Sequence, residues 1–466
     1  MSPGDAEQGA AAAARTAWPG SVISVVGIGA DGWPGLSGAA RAAVEDAEVV
    51  FGSGRQLELL PASVAGERIA WPSPLLPALR ELLLAQAYRR VCVLASGDPM
   101  FYGIGVTLAR LFGPGALRVL PQPSSASLAC ARLGWALADI PVVSAVGRPL
   151  AGVLPELTDG RRLLVLSADE RTPVALAELL CANGFGASGL TVLEQLGGPA
   201  ERIGATTAAG LWTAACSSMP PRAHPASPEA AADGPPGADG VDPHTVDPHT
   251  IDSLNIDPLN IVAVQVVRSP DAARLTRMPG LPDESFGGDG QLTKAEVRAL
   301  TLSALAPAPG ELLWDVGGGS GSIAIEWCRT HPSCRAVTFE RLERRRAGIA
   351  ENARALGVPQ VAVRGEALAA LAAESGMPDA IFVGGGLTQD GLLEVCRRRL
   401  RPGGRLVANA VTAETEALVV RSAAEHGGQL RKFQIYRAEP LGGFTAWRPH
   451  LPVAQWIWVK PAHGTR

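Results

Sequence analysis

Short runs of β-branched and aliphatic residues alternate with helical stretches from residue 21 to residue 210. Such alternation is typical of parallel sheets that are covered by helices, so this part of the chain is predicted to be α/β. The strand candidates are SVISVVGIG, AEVVFGS, RVCVLASGD, LRVLPQP, IPVVSAVGR, RLLVLSAD and LTVLEQLGG.

The pattern breaks at residues 217–255, where a Pro- and Ala-rich stretch passes into drifting copies of a five-residue unit, VDPHTVDPHTIDSLNIDPLN. His244 and His249 recur in it, but no other ligand type accompanies them, so a disordered insert is predicted rather than a metal site. The run NIVAVQVV, residues 260–267, follows and is predicted to be the last strand of the first domain. That domain then covers residues 21–268, between a disordered N-terminus of residues 1–20 and a linker of residues 269–284.

A cleaner pattern begins at residue 291. The stretch QLTKAEVRALTLSAL has helical periodicity, and Thr293 and Glu296 have the spacing of a capping box at its start. Seven strand candidates follow, and a loop alone joins the last two. They predict five or so parallel strands that end in an antiparallel pair, within a second domain of residues 285–466. The candidates are ELLWDVGGG, RAVTFER, QVAVRGEA, DAIFVGGG, GRLVANAV, QLRKFQIYRA and QWIWVK.

Composition narrows the class of protein. No apolar run approaches the ~20 residues that span a bilayer, and the first residues lack the apolar segment of a secretory signal, so a cytoplasmic protein without a membrane span is expected. The 7 cysteines are scattered and form no C-x-x-C pair, which argues against a metal site or a disulfide framework. A formal net charge of -4 argues against nucleic acid as the principal partner.

The first apolar run enters the turn GIGADG, which has the G-x-G-x-x-G spacing of a dinucleotide-binding turn. Trp33 and Pro34 follow at once and block the helix that would receive a pyrophosphate there. The next strand has no closing acidic residue, since Gly52 and Arg55 stand at its end. We therefore expect this turn to line a cleft for a different cofactor or for a substrate.

A second glycine-rich turn, DVGGGSGS at residues 315–322, follows the strand ELLWDV. Asp315 closes that strand, where a carboxylate can orient the turn or meet a cationic ligand. Ser322 stands where a dinucleotide fingerprint would need glycine. Glu340 closes the next strand, from which a carboxylate can accept hydrogen bonds from two ribose hydroxyl groups. The motifs GEAL and PDAIFVGGG end the two strands after it.

These motifs, in order on four successive strand ends, resemble the class I S-adenosylmethionine-dependent methyltransferases. The segment from DGQLTKAEVRAL to PDAIFVGGG is similar in particular to the CbiT family, which methylates a precorrin at C-15 and decarboxylates its C-12 acetate. That family more often has alanine at position 318 and proline at position 368, where this chain has Gly318 and Leu368. The resemblance implies that the cofactor is bound by Thr293, Asp315, Gly317, Gly318, Gly319, Ser320, Gly321, Glu340 and Ala367.

The loop SGDPMFYG, residues 96–103, follows another predicted strand, and its Gly, Pro and Asp residues favour a tight turn. With GIGADGWPGLSGAARAAVEDAEVVFGSGRQLELL, PQPSSASLACARLGW, SAVGRP and TVLEQLGGPAER, it resembles the tetrapyrrole methylase superfamily, in its C-5 methylating branch called CbiE. Gln56 stands where that branch often has histidine. The resemblance implies a cofactor folded in the cleft between two α/β lobes and bound by Gly97, Asp98, Pro99, Tyr102, Gly103 and Ser125.

Together the two resemblances imply an α/β chain with an N-terminal, two-lobed tetrapyrrole methylase (class III methyltransferase) and a C-terminal, Rossmann-like, seven-stranded class I methyltransferase. The fusion implies an enzyme of cobalamin biosynthesis with two S-adenosylmethionine sites per chain. Its expected reaction is methylation of precorrin-6Y at C-5 and C-15 with decarboxylation of the C-12 acetate, which gives precorrin-8. A homo-oligomer formed through the C-terminal domain is also expected. No catalytic residue is indicated.

Alternatives remain open at this point. The residues do not distinguish metal-free precorrin from cobalt-precorrin substrates. An enzyme for another substrate such as RNA, or a binding protein without catalysis, is disfavoured because no long basic stripe is present and VGGGLTQD replaces the N- or D-P-P-Y motif of base-methylating enzymes. Clustered arginines are interpreted as solvated helix faces rather than as contacts to substrate carboxylates: Arg341, Arg344, Arg345, Arg346, Arg397, Arg398, Arg399 and Arg401.

Overall fold

The computed structural model describes residues 18–218, 251 and 255–462. It divides into two compact units, with the boundary between Arg274 and Leu275. The predictions for the N-terminus lie almost wholly outside the described residues, as do those for most of the insert at 217–255, His244 and His249 included.

The first sheet of the N-terminal unit is parallel throughout. Its elements are β1 (Ile23–Ile28), α1 (Gly32–Gly35), α2 (Gly38–Glu45), β2 (Val49–Gly52), α3 (Gly54–Glu58), β3 (Glu67–Ala70), α4 (Leu76–Leu84), β4 (Val91–Ser96), α5 (Ile104–Phe112) and β5 (Leu117–Leu120). The strand order is β3-β2-β4-β1-β5. Since neighbouring strand residues point to opposite faces, Val26 packs with α2 and α3, and Val25 packs with α4 and α5.

The second sheet of this unit is mixed, so the expectation of a parallel sheet is wrong here. Its elements are α6 (Ser125–Leu133), β6 (Val142–Ser144), β7 (Arg162–Leu166), α7 (Thr172–Ala182), β8 (Gly189–Glu194), β9 (Arg202–Thr207), α8 (Ala208–Ser218) and β10 (Asn260–Gln265), in the strand order β6-β7-β10-β8-β9. Only β6 and β7 of these described strands pair in parallel. The connection from β8 to β9 is too short for the crossover that a parallel pair needs.

The C-terminal unit holds a seven-stranded sheet between two layers of helices. Its elements are α9 (Ala295–Leu305), β11 (Leu312–Val316), α10 (Ser322–Thr330), β12 (Arg335–Phe339), α11 (Glu343–Ala355), β13 (Ala362–Arg364), α12 (Ala367–Ala373), β14 (Ala380–Val383), α13 (Leu392–Arg399), β15 (Arg405–Ala410), α14 (Ala413–His426), β16 (Gln429–Phe433), β17 (Tyr436–Leu441), β18 (Phe444–Pro449) and β19 (Val453–Val459). The order β13-β12-β11-β14-β15-β19-β16, five parallel strands and an antiparallel pair, confirms the predicted sheet.

One part of that prediction is wrong. The sequence predicts one strand over QLRKFQIYRA, but this stretch divides into β16 and β17, and β17 pairs with β18 in a separate antiparallel hairpin. The last two predicted strands are therefore joined by a hairpin rather than by a plain loop. No helix in the described part of the chain is long and apolar enough to cross a bilayer.

Residues 275–284, the second half of the predicted linker, belong to the C-terminal unit. Leu281 is buried in its core, and the backbone N–H groups of Gly280 and Leu281 donate to the Glu326 carboxylate at 2.7 and 2.9 Å. The fully buried Arg298 guanidinium donates to Glu326 Oε1 at 2.6 Å and also to the carbonyls of Leu281 and Thr293. This network fastens residues 280–293, which we call the strap, to the domain.

The predicted capping box is wrong. The N-cap of α9 is Lys294, which makes no side-chain cap hydrogen bond. Glu296 instead forms a two-point ion pair with Arg437, with Nη2 to Oε2 at 2.7 Å and Nε to Oε1 at 3.1 Å. A charge-assisted, bidentate ion pair is stronger than a capping hydrogen bond from a neutral backbone amide. The Glu296 carboxylate therefore pairs with Arg437 instead of capping the helix.

Candidate active sites

A cleft of about 450 Å³ opens in the N-terminal unit at the carboxyl ends of the first-sheet strands. Both sheets contribute to its lining, with Ile28 and Gly97 from the first and Leu166 and Asn260 from the second. The carboxyl ends of parallel strands are the usual position for ligands in open α/β sheets. The volume suits a small organic ligand.

Gly97 determines the course of the loop that follows β4. Its φ is 58°, and a Cβ there would lie 3.0 Å from the Pro123 carbonyl oxygen, so the position requires glycine. Gly97 N donates to Ile28 O, and Gln122 N donates to Gly97 O, each at 3.2 Å. The ends of β1, β4 and β5 are thereby joined.

The structure brings together five of the six predicted cleft residues. The sixth, Pro99, is buried within the loop and does not line the cleft. Asp98 Oδ1 accepts a hydrogen bond from Met100 N at 2.8 Å, as the turn chemistry predicted. The lining residues are Gly97, Asp98, Tyr102, Gly103 and Ser125.

Tyr102 connects the loop to the second sheet. Its φ of 54° is rare for a residue with a side chain. The hydroxyl donates to Val142 O of β6 at 2.9 Å, and the Arg148 guanidinium carbon lies 5.0 Å from the ring centroid. Strained backbone of this kind concentrates at active sites.

In the C-terminal unit, four strand ends meet at one edge of the sheet. β13, β12, β11 and β14 are parallel neighbours, and they lead into residues 365–367, Glu340, residues 317–321 and residues 384–386. Glu340 N donates to Arg364 O at 3.2 Å, and a Cβ at Gly317 would lie 2.7 Å from Gly385 N. The four sequence motifs therefore form one surface, which also includes Ala367 at the start of α12.

The glycine turn is held by backbone contacts. Gly317 N and Gly318 N both donate to Phe339 O, at 3.0 and 3.1 Å. Gly319 has a φ of 57°, and a Cβ there would lie 2.8 Å from the carbonyl oxygen of Gln291 in the strap. A side chain at position 319 would therefore separate the turn from the strap, two residues before Thr293.

Thr338 explains why glycine stands at position 318. A Cβ on Gly318 would lie 2.2 Å from Thr338 Oγ1, so alanine does not fit. The Thr338 hydroxyl donates to Asp315 Oδ2 at 3.3 Å. Burial raises the pKa of the Asp315 carboxyl to about 7, which that hydrogen bond opposes. Asp315 is 1% exposed, so it supports the turn from inside the domain.

Glu340 fastens the glycine turn, a role that its position in the sequence did not reveal. Its Oε2 accepts from Gly319 N and its Oε1 accepts from Leu342 N, each at 3.0 Å. The side chain is buried, but each carboxylate oxygen keeps a second lone pair. Glu340 can therefore hold the turn and accept ligand hydroxyl groups at the same time.

Asn352 was missed by sequence reasoning. Its Oδ1 accepts from Gly287 N at 2.9 Å, and its Nδ2 donates to Gly287 O and Ser320 O, each at 3.0 Å. It thus joins the strap to the glycine turn. A cavity of about 150 Å³ lies beside these contacts and is lined by Gly287, Gly288, Asp289, Gly319, Ser320, Arg344, Arg345 and Gly348.

Several of the clustered arginines are engaged by the protein itself. Arg344 and Arg345 pair with Asp289 at 3.3 and 2.9 Å, and Arg401 pairs with Asp379 at 2.7 Å. These contacts favour a structural role for the three side chains over contacts to substrate carboxylates.

Comparisons with known proteins agree with this architecture. The model for tetrapyrrole (corrin/porphyrin) methylases matches residues 22–211, and the model for the precorrin methyltransferase domain matches residues 284–460. The chain is 48% identical over 440 residues to the precorrin-6Y C(5,15)-methyltransferase [decarboxylating] of Mycobacterium tuberculosis (strain CDC 1551 / Oshkosh), which covers 94% of this chain and 100% of that protein.

Two shorter relatives match parts of the chain. It is 32% identical over 182 residues to the cobalt-precorrin-7 C(5)-methyltransferase of Salmonella typhimurium, covering 39% of this chain and 89% of that protein. It is 34% identical over 144 residues to the probable cobalt-precorrin-6B C(15)-methyltransferase (decarboxylating) of Saccharolobus solfataricus, covering 30% and 72%.

The folds, the glycine turn and the two matched models define a fusion of two S-adenosylmethionine-dependent methyltransferase domains. Similarity over nearly the whole length then gives the particular family. The chain belongs to the precorrin-6Y C(5,15)-methyltransferases (decarboxylating) of cobalamin biosynthesis. The family, the fold class and the overall function that the sequence predicted are confirmed.

Proposed function

We propose that the two methylations are divided between the units: the N-terminal unit methylates C-5, and the C-terminal unit methylates C-15 and removes the carboxyl group of the C-12 acetate. The observation that carries this division is that each unit has a site of its own, a cleft in one and four joined strand ends in the other. The division is supported by the two shorter relatives, each of which is named for only one of the two methylations and matches only part of this chain.

Each site is proposed to bind one S-adenosylmethionine. Gly97 and Gly319 leave no room for a side chain, and such positions let a ligand approach the backbone closely. The proposed contacts in the cleft are Gly97, Asp98, Tyr102, Gly103 and Ser125. In the C-terminal unit they are Thr293, Gly317, Gly318, Gly319, Ser320, Gly321, Glu340 and Ala367, with Asp315 and Asn352 as supports behind them.

The bound cofactor supplies an electrophilic methyl group, and an electron-rich carbon of the tetrapyrrole is the nucleophile. No strong base is therefore demanded of the protein, whose residues orient the two reactants in line and exclude water. Apolar side chains such as Phe101, Leu166 and Leu193 line the cleft and serve the second task. In the decarboxylation, the bond between the acetate methylene and its carboxyl carbon breaks and carbon dioxide leaves. The electrons of that bond pass into the conjugated ring once the ring is protonated, and the proton ends on the methylene carbon, which becomes a methyl group.

Metal-free precorrin-6Y is the proposed substrate and precorrin-8 the proposed product. The cobalt-containing intermediates are the alternative, and parallel assays with metal-free and cobalt-loaded precorrin decide between them. We place the reaction in the cytoplasm, because all seven cysteines are free, as in proteins of reducing compartments.

A homo-oligomer is proposed to form through the β17–β18 hairpin. One face of this hairpin exposes Tyr436 and Trp447, and the other face exposes Leu441 and Phe444 at the tip. Large exposed apolar side chains on both faces favour a protein partner, here a second copy of the chain. Sedimentation of the wild type should show an oligomer, and Trp447→Glu should shift it to monomer. An oligomer unaffected by Trp447→Glu would contradict the role of the hairpin.

The division of labour is tested by cutting the chain at the structural boundary, between Arg274 and Leu275. The C-terminal fragment is expected to bind S-adenosylmethionine, methylate C-15 and release carbon dioxide, and the N-terminal fragment to add only the C-5 methyl group. Methyl positions are read by NMR and carbon dioxide by trapping. A C-terminal fragment that is folded by circular dichroism, yet releases no carbon dioxide where the full chain does, would contradict the division.

A further inference from the structure

Arg55 is the one cation among the described residues that line the N-terminal cleft. It lies in α3, is half-buried, and makes a hydrogen bond from Nη2 to Ser96 Oγ at 3.3 Å. Across residues 18–218 and 255–462, no carboxylate forms an ion pair with it. Asp257 acts on Arg55 only at a distance, without an ion pair, so the guanidinium that faces this mostly apolar cleft is suited to an anionic group of a ligand.

The strand order places Arg55 at the border between the residues assigned to the cofactor and a further part of the cleft. In the order β3-β2-β4-β1-β5, Gly97 follows β4 and Ser125 follows β5, on one side of the sheet edge. Arg55 follows β2, and Trp71 follows β3, on the other side. Trp71 and Leu75 therefore line a part of the cleft that none of the proposed cofactor contacts occupies, and Arg55 stands between this part and the loop after β4.

The chemistry of this region matches a flat, carboxylate-bearing ring. The Trp71 indole is stacked on Phe51 with ring centroids 4.8 Å apart and planes 15° apart, so its orientation is fixed. Leu75 adds an aliphatic surface beside it. Aromatic and aliphatic walls bind the face of a large conjugated ring, and a guanidinium binds a carboxylate at the ring's periphery through two hydrogen bonds.

Partial burial of the Arg55 guanidinium also favours binding of an anion. Loss of solvent lowers the pKa of its guanidinium, and the nearby charge of Asp257 opposes that effect. Arginine stays protonated in proteins, so the partly desolvated charge is stabilised when a carboxylate arrives.

We propose that Arg55 binds a carboxylate on an acetate or propionate side chain of the tetrapyrrole, with the ring lying against Trp71 and Leu75. The contact determines which edge of the ring faces the methyl donor, so Arg55 is a positioning residue for C-5 methylation. This inference rests on the proposed function of the N-terminal unit.

The test uses the full chain with Arg55→Ala and Arg55→Lys, and Arg118→Ala as the matched control. Arg118 is an exposed arginine near the amino end of β5, away from the carboxyl ends that form the cleft. C-5 methyl transfer is measured with the tetrapyrrole varied at saturating cofactor. For Arg55→Ala we expect kcat/KM to fall about 10- to 100-fold, mainly through KM, as for a lost charge-assisted hydrogen bond.

Arg55→Lys should lie between the wild type and Arg55→Ala, because lysine keeps the charge but loses the two-point geometry. Arg118→Ala should match the wild type. The dissociation constant for S-adenosylmethionine should change less than about twofold, as expected when no cofactor contact is lost. An unchanged kcat/KM in Arg55→Ala overturns the inference. Weakened cofactor binding with an unchanged KM for the tetrapyrrole also overturns it, because the bound carboxylate would then be that of the cofactor.

A binding measurement separates this inference from the proposed function. A porphyrin with free carboxylates and its methyl ester are titrated against wild type and Arg55→Ala by fluorescence quenching. The wild type should prefer the free acid, and Arg55→Ala should lose most of that preference. Equal preference in both proteins overturns the inference. A wild type that shows the Arg55-dependent preference but transfers no methyl group to C-5 overturns the proposed function alone.

Discussion

The two candidate sites differ in what holds the loop that carries them. In the N-terminal unit the loop after β4 is joined to its neighbours by backbone hydrogen bonds, from Gly97 N to Ile28 O and from Gln122 N to Gly97 O. In the C-terminal unit the turn after β11 is also held by two buried side chains, Glu340 and Asn352. Both loops nevertheless contain a glycine in the left-handed region.

This difference shows how two folds meet one requirement, a backbone that a ligand can approach closely. The φ values of Gly97 and Gly319 are 58° and 57°, so both glycines lie in the left-handed region while their supports differ. Activity at the N-terminal cleft should therefore be most sensitive to substitutions that alter the backbone. Activity at the C-terminal site should be sensitive both to such substitutions and to loss of the supporting side chains. The following substitutions test this contrast.

The largest effects are expected from Gly97→Val and Gly319→Val in the full chain. A β-branched residue is strained at these φ values and meets a backbone carbonyl oxygen in each loop. Gly97→Val should lower the rate of C-5 methylation at least about 100-fold and leave the rate of carbon dioxide release unchanged. Gly319→Val should lower the rate of carbon dioxide release by a similar factor and leave C-5 methylation unchanged. Factors of this size are expected because a displacement of about 1 Å at a reacting centre lowers the rate about 100-fold. NMR of the products and trapped carbon dioxide give both rates.

Gly38→Val and Gly443→Val serve as controls, since a Cβ at either position meets nothing within 4 Å. If Gly97→Val or Gly319→Val lost both C-5 methylation and carbon dioxide release, the two sites would not be independent.

Glu340→Ala comes next. It removes the acceptors for Gly319 N and Leu342 N, as well as the proposed contacts to ribose. Cofactor affinity at the C-terminal site should fall at least about tenfold, because hydrogen bonds to a charged acceptor contribute roughly 1.5–3 kcal/mol each. Isothermal titration measures it, with the exposed Glu343→Ala as control. Wild-type affinity in Glu340→Ala would remove this residue from the site.

A stability effect of intermediate size is expected from Gly318→Ala, since the new methyl group would overlap Thr338 Oγ1. Overpacking of this kind costs about 1–3 kcal/mol. Adding Thr338→Ala should recover part of the loss, so the pair should be coupled in a double-mutant cycle followed by calorimetry. Gly348→Ala, where a Cβ meets nothing within 4 Å, is the matched control. Additive losses would mean that the contact is not the cause.

The smallest effect concerns pH. The pKa of Asp315 is raised from 3.8 to about 7 in the folded chain, so between these values the folded state binds more protons than the unfolded state. The contribution of this carboxyl to stability is therefore present at low pH and lost as the pH rises through about 7. In Asp315→Asn the unfolding temperature of the C-terminal unit should fall less between about pH 5 and about pH 8 than in the wild type. An equal fall in both proteins would contradict the shift.

The regular parts of the fold could be predicted from the sequence, and so could the strand ends at which the candidate sites lie. Strands β11 to β14 each appear as an apolar run closed by Gly, Asp or Glu, and parallel strands bring those closing residues to one edge. The turn chemistry of Asp98 is likewise local, since its carboxylate accepts a hydrogen bond from Met100 N, two residues along the chain. Local signals of this kind are visible without the fold.

What could not be predicted depends on partners far apart in the chain. Glu296 is drawn from its expected cap by Arg437, 141 residues away, and Asn352 reaches Gly287 across 65 residues. Arg55 had no signal of its own, because its place in the lining of the cleft becomes apparent only when the two sheets are assembled. Such pairings follow from the fold rather than from periodicity.

Gly318 and Thr338 also bear on how the sequence of this family can change over time. Because a methyl group at 318 would overlap the hydroxyl at 338, alanine at 318 is expected to cost less stability once position 338 carries a smaller side chain. The order of the two replacements therefore matters, since the intermediate with both larger residues is expected to be the less stable one. The glycine that departs from the motif on its own is thus one half of a complementary pair, whose other half is the hydroxyl that occupies its space.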